Sequence, residues 1–425
     1  GYTRKMSDYI VGLDIGSKNI CATMSIENEE YGFEVLDFVC KQSYGIKKGL
    51  VTDFNLAVDC IKKCLEELAE KTQTNINCVY LGFSCKECKI IPSKGYTYVG
   101  EDSYVNETNI QNAYRDAKNI LLKDDDCIAD SVINCFYTTN EECVKNPIGI
   151  TSDKLEIDLD LILSDVKYID NLKPAVLEAG YQVLGTVLSI NALKNIFLSE
   201  DTISKNVGII DIGTEKTEIA LYNANQLIGT GQVPFGGDAI TKDLAICLEI
   251  DENMAEQLKK ECAKDYIYMA KESIIDLGTR EVDARFVHDV IEARLDEILE
   301  HIYKEISNNE FYEKIDFFII TGEGLVYFEE IDKKIQEILG KKVKLFKKHD
   351  FYLNNSAIIV SIGIVKEVYD RLKLICDEKL FSSININNNV DTNINTSVDD
   401  ESEYDNKKNK KRGLSRFKAF LDDIF

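Results

Sequence analysis

One segment of this chain occurs twice. Tyr9-Ile-Val-Gly-Leu-Asp-Ile-Gly16 returns as Asn206-Val-Gly-Ile-Ile-Asp-Ile-Gly213, and each copy runs on into a hydroxyl residue and a second apolar stretch. Each copy is an apolar strand ending in Asp, a Gly-containing tight turn, and another strand. A unit repeated nearly two hundred residues later implies two similar domains facing each other across a cleft.

The rest of the chain fits that frame. Residues 7 to about 380 alternate β-prone apolar runs with amphipathic helical stretches, which is the pattern of α/β architecture. Strands are expected at Tyr9–Ile15, Ile20–Ile26, Phe33–Cys40 and Cys78–Gly82, with a helix from Asn55 to Lys71. Between Ser84 and Asp165 the pattern changes to one helix (Asn109–Leu122) among strands at Val132–Thr138 and Leu155–Leu163, an inserted α+β subdomain. The boundaries read as residues 7–84, 166–198 and 350–381 for the first lobe and 85–165 for the insertion. Residues 199–241 and 311–349 make the second lobe, with 242–310 as its small subdomain. Residues 1–6 stand outside the fold: Gly1 to Lys5 read as an expression remnant ahead of a native start at Met6.

Composition excludes several classes. No apolar run reaches the roughly 20 residues of a membrane-spanning helix. With 50 basic against 74 acidic residues the net charge is −24, which disfavours nucleic acid as a partner. The 13 Cys read as free thiols serving as small core residues, and Cys85-Lys-Glu-Cys88 lacks the second ligand pair a zinc site needs. Three His leave little for Ser-His-Asp or Cys-His chemistry, and the catalytic residues stay unknown.

The chemistry lies in the repeat. In Asp14-Ile-Gly16-Ser17-Lys18 and Asp211-Ile-Gly213-Thr214-Glu215-Lys216-Thr217, a Gly at the hairpin mouth lets backbone N–H groups approach a phosphate. The strand-end Asp14 and Asp211 can hold Mg²⁺ through water. A third turn, Thr321-Gly322-Glu323-Gly324, follows a strand and is expected to lead into a helix near Leu325, giving room for a base or ribose.

Two phosphate hairpins followed by a later nucleoside turn resemble the actin, sugar-kinase and heat-shock-ATPase superfamily, and within it the bacterial FtsA cell-division family. Lys48-Gly-Leu-Val-Thr-Asp53, Lys145-Asn-Pro-Ile-Gly149, Glu178-Ala-Gly-Tyr181, Val233-Pro-Phe-Gly-Gly-Asp-Ala-Ile-Thr241 and Ile291-Glu-Ala-Arg294 carry the resemblance over nearly all of residues 8–425. It implies a two-lobed actin-like fold with duplicated βαβ domains and an inserted α+β subdomain. It also implies ATP and Mg²⁺ as cofactors. Asp14, Gly16, Ser17, Lys18, Asp211, Gly213, Thr214, Lys216 and Thr217 then hold phosphate, Gly236 and Gly237 follow the second hairpin, Glu256 and Lys259 reach the nucleoside, and Gly322 and Gly324 form its turn. The implied protein is an ATP-binding cytoskeletal adaptor, at most a slow ATPase. It polymerises on the inner face of the cytoplasmic membrane at the division site. There it tethers FtsZ, whose C-terminal peptide docks on the small subdomain (Arg294 is the chosen contact), and meets other division proteins. The chain departs from the family pattern at Asn19, Glu215, Glu218 and Glu323.

The chain's end carries a further signal. Residues 382–412 are Asn-rich and acidic, then basic, and read as a disordered linker spanning about 30 Å. Beyond it, Leu414, Phe417, Leu421 and Ile424 share one helical face, with Phe420 and Phe425 at its margins and Arg416 and Lys418 beside it. Residues 413–425 therefore read as an amphipathic helix for an anionic membrane surface. Three other readings compete: a phosphotransferase of the same superfamily, a pilus-assembly relative that binds a membrane protein's peptide, and a descendant that has lost nucleotide.

Overall fold

A computed structural model describes residues 9–28, 30, 32–267, 273–346 and 357–375. The chain opens with β1 (Tyr9–Ile15), β2 (Asn19–Asn28) and β3 (Gly32–Gln42), then the short β4 (Ile46–Lys47) and β5 (Leu50–Val51), helix α1 (Phe54–Thr72) and β6 (Cys78–Phe83). Asp53 caps α1 by accepting from the Leu56 N–H, and Ala57, Cys60, Ile61, Cys64, Leu65 and Leu68 form the buried stripe that a 3.6-residue period requires.

The chain then leaves for β7 (Lys89–Tyr98), α2 (Glu107–Ala117), β8 (Asp126–Tyr137), β9 (Cys143–Val144) and β10 (Lys154–Asp165), which make their own sheet in the order β7-β10-β8-β9. Helix α2 ends at Ala117, five residues short of the expected end. It returns through α3 (Val166–Glu178), β11 (Gln182–Leu188), α4 (Ser189–Ala192) and α5 (Lys194–Phe197), completing a first sheet of order β11-β6-β1-β2-β3.

The second lobe repeats the plan. It comprises β12 (Asn206–Ile212), β13 (Thr217–Asn223), β14 (Gln226–Val233), α6 (Asp238–Leu248), α7 (Glu252–Lys264), β15 (Ile274–Asp276), β16 (Glu281–Asp283), α8 (Ala284–Ser307), β17 (Phe317–Thr321), α9 (Ile331–Leu339) and β18 (Lys342–Leu345). Its sheet runs β14-β13-β12-β17-β18, the same order of antiparallel and parallel neighbours as the first. Registers match as well: Asp14 pairs with Cys21 as Asp211 pairs with Glu218.

Helix α10 (Ile358–Ile375) crosses back to the first sheet. It is apolar nearly all round because it is covered on most sides, and Gly12 admits it: a Cβ there would stand 2.9 Å from the Ser361 carbonyl. A buried ionic network ties α10 to the inserted sheet. Arg371 lies 2.6 Å from Asp130 and 3.3 Å from Glu367, while Asp130 also accepts from the Leu188 N–H at 2.8 Å.

Two findings correct the cysteine reading. Cys85 and Cys88 form a disulfide across the turn from β6 to β7, and Cys135 joins Cys143 across the β8–β9 hairpin. The turn and the hairpin bring these Cα atoms to 6.1 and 5.6 Å, inside the range a disulfide spans. The expected terminal helix, with Leu414, Arg416, Phe417, Lys418, Phe420, Leu421, Ile424 and Phe425, lies outside the described residues, as does the linker before it. Among the described residues no helix is long and apolar enough to cross a membrane.

Candidate functional site

The two repeated hairpins close in the same way. Gly16 N–H donates to the Asn19 carbonyl at 2.9 Å, and Gly213 N–H donates to the Lys216 carbonyl at 2.9 Å. A side chain at either mouth would collide, since a Cβ would stand 2.8 Å from Asn19 O or 3.0 Å from Lys216 O. Both tips border one open cavity between the lobes, of about 150 Å³. Asp14, Gly16, Ser17 and Lys18 line it from the first lobe; Asp211, Gly213, Thr214, Lys216 and Gly322 line it from the second.

The remaining residues expected at the site stand behind this wall. Gly236 and Gly237 pack onto the Gly213 carbonyl, where a Cβ on Gly236 would come within 2.3 Å, and Gly237 N–H donates to it at 3.0 Å. Gly324 N–H donates to the Ile212 carbonyl at 2.8 Å, and buried Thr217 donates to the Phe235 carbonyl at 2.8 Å. Lys259 is buried, bonded to the Gly237 carbonyl at 3.1 Å and to Glu256 at 2.8 Å, while Glu256 also accepts from Thr241. Burial pushes the Lys259 ammonium below its ordinary range. These contacts support the hairpin from beneath. Arg294 makes a bidentate pair with Asp243 at 2.6 and 2.8 Å, pinning α8 to α6.

The turn after β17 differs from expectation. Residues 322–330 form turns, and the helix begins only at Ile331. Buried Leu325 and Phe328 anchor the segment, Glu329 N–H bonds the Ala263 carbonyl at 2.9 Å, and Glu330 is left-handed, so a helix cannot start at Leu325. Gly322 is still required: its φ is +94°, and a Cβ would stand 2.3 Å from Asp211 Oδ1.

The cavity floor is acidic. Desolvation raises both Asp14 and Asp211 to about 7, with the nearby Glu218 carboxylate adding to it and Lys216 opposing it. Glu218 is buried, with Oε1 3.1 Å from Lys216 Nζ but in no hydrogen bond. Three carboxylates against one lysine fit a cation that keeps its water shell. Among the described residues no three candidate ligands converge on one point, so direct ligation by a protein triad is not built.

The contributors that the sequence reading missed include four at element ends. Ser84 and Ser189 follow the carboxyl ends of the parallel strands β6 and β11 and line the cavity. The rule that ligands of open α/β sheets sit beyond those ends would have found them. Ile359 and Val360 bring the amino-terminal turn of α10, the partially positive end of a helix dipole, to the same cavity.

Comparison with known proteins shows what this chain is similar to. Residues 208–363 match the family model described as "Cell division protein FtsA". Curated relatives of that description include those of Pseudomonas aeruginosa, 25% identical over 79% of this chain and 82% of the relative, and Bacillus subtilis, 23% identical over 85% and 83%. Among solved structures, the type IV pilus biogenesis complex PilM–PilN aligns with a TM-score of 0.53 at 12% identity over 84% of this chain and 98% of that one. MreB5 of Spiroplasma citri bound to ADP aligns at 0.51, with 11% identity over 86% and 98%. These likenesses establish an actin-like fold.

Proposed function

We infer the use of the cleft from one premise, that this chain is an actin-like relative of the cell division protein FtsA. It binds ATP with Mg²⁺ between the lobes. The observation that carries this reading is the pair of matched hairpins presenting Gly16–Lys18 and Gly213–Lys216 to one cavity lined by two partly buried acids, Asp14 and Asp211. The structural relative from Spiroplasma citri was solved with ADP, which agrees with nucleotide in the equivalent cleft.

The hairpin backbones and Lys18 and Lys216 would meet phosphate, while Asp14 and Asp211 would orient a hydrated Mg²⁺, whose charge relieves their mutual repulsion. No residue of the two hairpins is a dedicated base for water, so turnover is slow at most. The reading extends to an adaptor that polymerises on the inner face of the cell membrane at the division site and tethers FtsZ there. Its membrane anchor is assigned to residues 413–425 from their sequence pattern, and its receiving surface for the FtsZ peptide to the small subdomain at 242–310. Because Arg294 is held by Asp243 and, through Nη1, by Glu297 at 3.0 Å, the peptide would meet its guanidinium only by displacing Glu297.

Calorimetry tests the central step. Asp211→Ala should weaken Mg-ATP binding at least tenfold, about 1.4 kcal/mol; unchanged affinity would reject the assignment. Sedimentation with anionic liposomes tests the tail, where Phe417→Glu should abolish pelleting and leave ATP binding intact.

A further inference from the structure

We propose that Glu215 is a latch: it takes the Lys48 amide, holds the Ile46–Val51 hairpin across the cleft mouth, and sets how fast a polyphosphate ligand enters and leaves. This rests in part on the nucleotide reading above. The hairpin turns through Lys48 and Gly49, whose φ values of +49° and +75° make the two-residue primed turn that tight hairpins favour. Its two tip N–H groups bond outward, one to each phosphate hairpin. Gly49 N–H donates to Ser17 Oγ at 2.9 Å in the first lobe, and Lys48 N–H donates to the Glu215 carboxylate in the second. Lys48 Nζ adds a bond to the Pro234 carbonyl at 3.4 Å, again across the cleft.

The root of this hairpin belongs wholly to the first lobe. Val51 exchanges hydrogen bonds with the Asn171 side chain at 2.8 and 3.1 Å, and Thr52 N–H bonds the Gly45 carbonyl at 2.8 Å. Only the tip reaches over, so releasing it frees a flap without unfolding its base. The tip also sits hard on the second hairpin, since a Cβ on Gly49 would stand 2.6 Å from Lys216 Nζ.

This placement gives Glu215 a use that phosphate binding does not. A carboxylate at the tip of a phosphate hairpin repels its ligand, whereas a carboxylate accepting a backbone N–H makes one of the stronger hydrogen bonds available. On the other rim, Lys18 of the first lobe stands 3.6 Å from Glu323 of the second. Glu215 and Glu323, two of the departures from the family pattern, therefore each bridge the lobes.

Full-length protein tests the latch with two readouts. In nucleotide-free protein, Glu215→Ala should raise hydrogen exchange at the Lys48 amide about tenfold, while Glu215→Gln, which keeps an acceptor oxygen, should stay near wild type. In stopped-flow, Glu215→Ala should release a fluorescent ATP analogue with Mg²⁺ about fivefold faster, again spared in Glu215→Gln. Unchanged exchange in Glu215→Ala would overturn the latch. Faster exchange with unchanged release would overturn its gating role. If the wild type binds no analogue, the nucleotide reading fails and gating with it, and the exchange data alone decide whether the clasp exists.

Discussion

The two hairpins share a backbone and differ in charge. In the first, the residue paired with the strand-end acid is Cys21; in the second it is Glu218. At matching positions the first tip carries Ser17 and Lys18, the second Thr214 and Glu215. The second strand-end acid is also crowded by Gly322, where a Cβ would stand 2.3 Å from Asp211 Oδ1. Duplication has kept what the backbone needs, a glycine at each mouth and an acid at each strand end. The side chains around them have diverged, and the negative charge of the site has concentrated on the second lobe.

Breaking the turn that packs on the second hairpin's acid should have the largest effect. Gly322→Ala forces a side chain into a left-handed position against Asp211 Oδ1, with φ +94°. It should lower thermal stability by about 2 kcal/mol or more and abolish Mg-ATP binding. Gly16→Ala in the first hairpin meets only Asn19 O at 2.8 Å and should be milder in melting experiments.

Removing the charge asymmetry comes next. Asp14 and Asp211 titrate near 7 when folded against an ordinary 3.8. The folded state thus holds extra protons there, so the contribution of these two acids to stability is fullest below about pH 4, falls as pH rises toward 7, and is level above it. Glu218 is the leading charged contributor to both shifts. Glu218→Gln should flatten the loss between pH 4 and 7 and stabilise the ligand-free protein at pH 8 by on the order of 1 kcal/mol. Melting curves across that window that match wild type would show that Glu218 does not set the asymmetry.

The smallest effect belongs to the rim. Lys18 is half exposed and 3.6 Å from Glu323, so Lys18→Ala should change stability by less than about 1 kcal/mol. A larger loss in denaturant titration would mean that the first tip carries more of the closure than its geometry indicates.

The repeat was legible because it is local: strand periodicity, a terminal Asp and a Gly within eight residues define each hairpin, and the structure gives both the same register. What escaped was set by partners distant in sequence. The Lys48–Glu215 bond spans 167 positions, and the turn at 322–330 is held out of helix by Ala263. Glu256 and Lys259 carry helix spacing that fits an exposed pair or a ligand contact equally, and only the fold shows Lys259 buried against Gly237. The disulfide between Cys135 and Cys143 depends on a short hairpin, β8–β9, that no turn signal announced.

The central claim is that the paired acids serve a metal-bound nucleotide. Titrating ATP into wild type and into Asp14→Asn/Asp211→Asn, each with Mg²⁺ and with a chelator, tests it most directly. Mg²⁺ should strengthen ATP binding to the wild type by at least about tenfold, and that enhancement should vanish in the double variant. Equal affinity of the wild type with and without Mg²⁺, or an enhancement that survives in the double variant, would contradict the account.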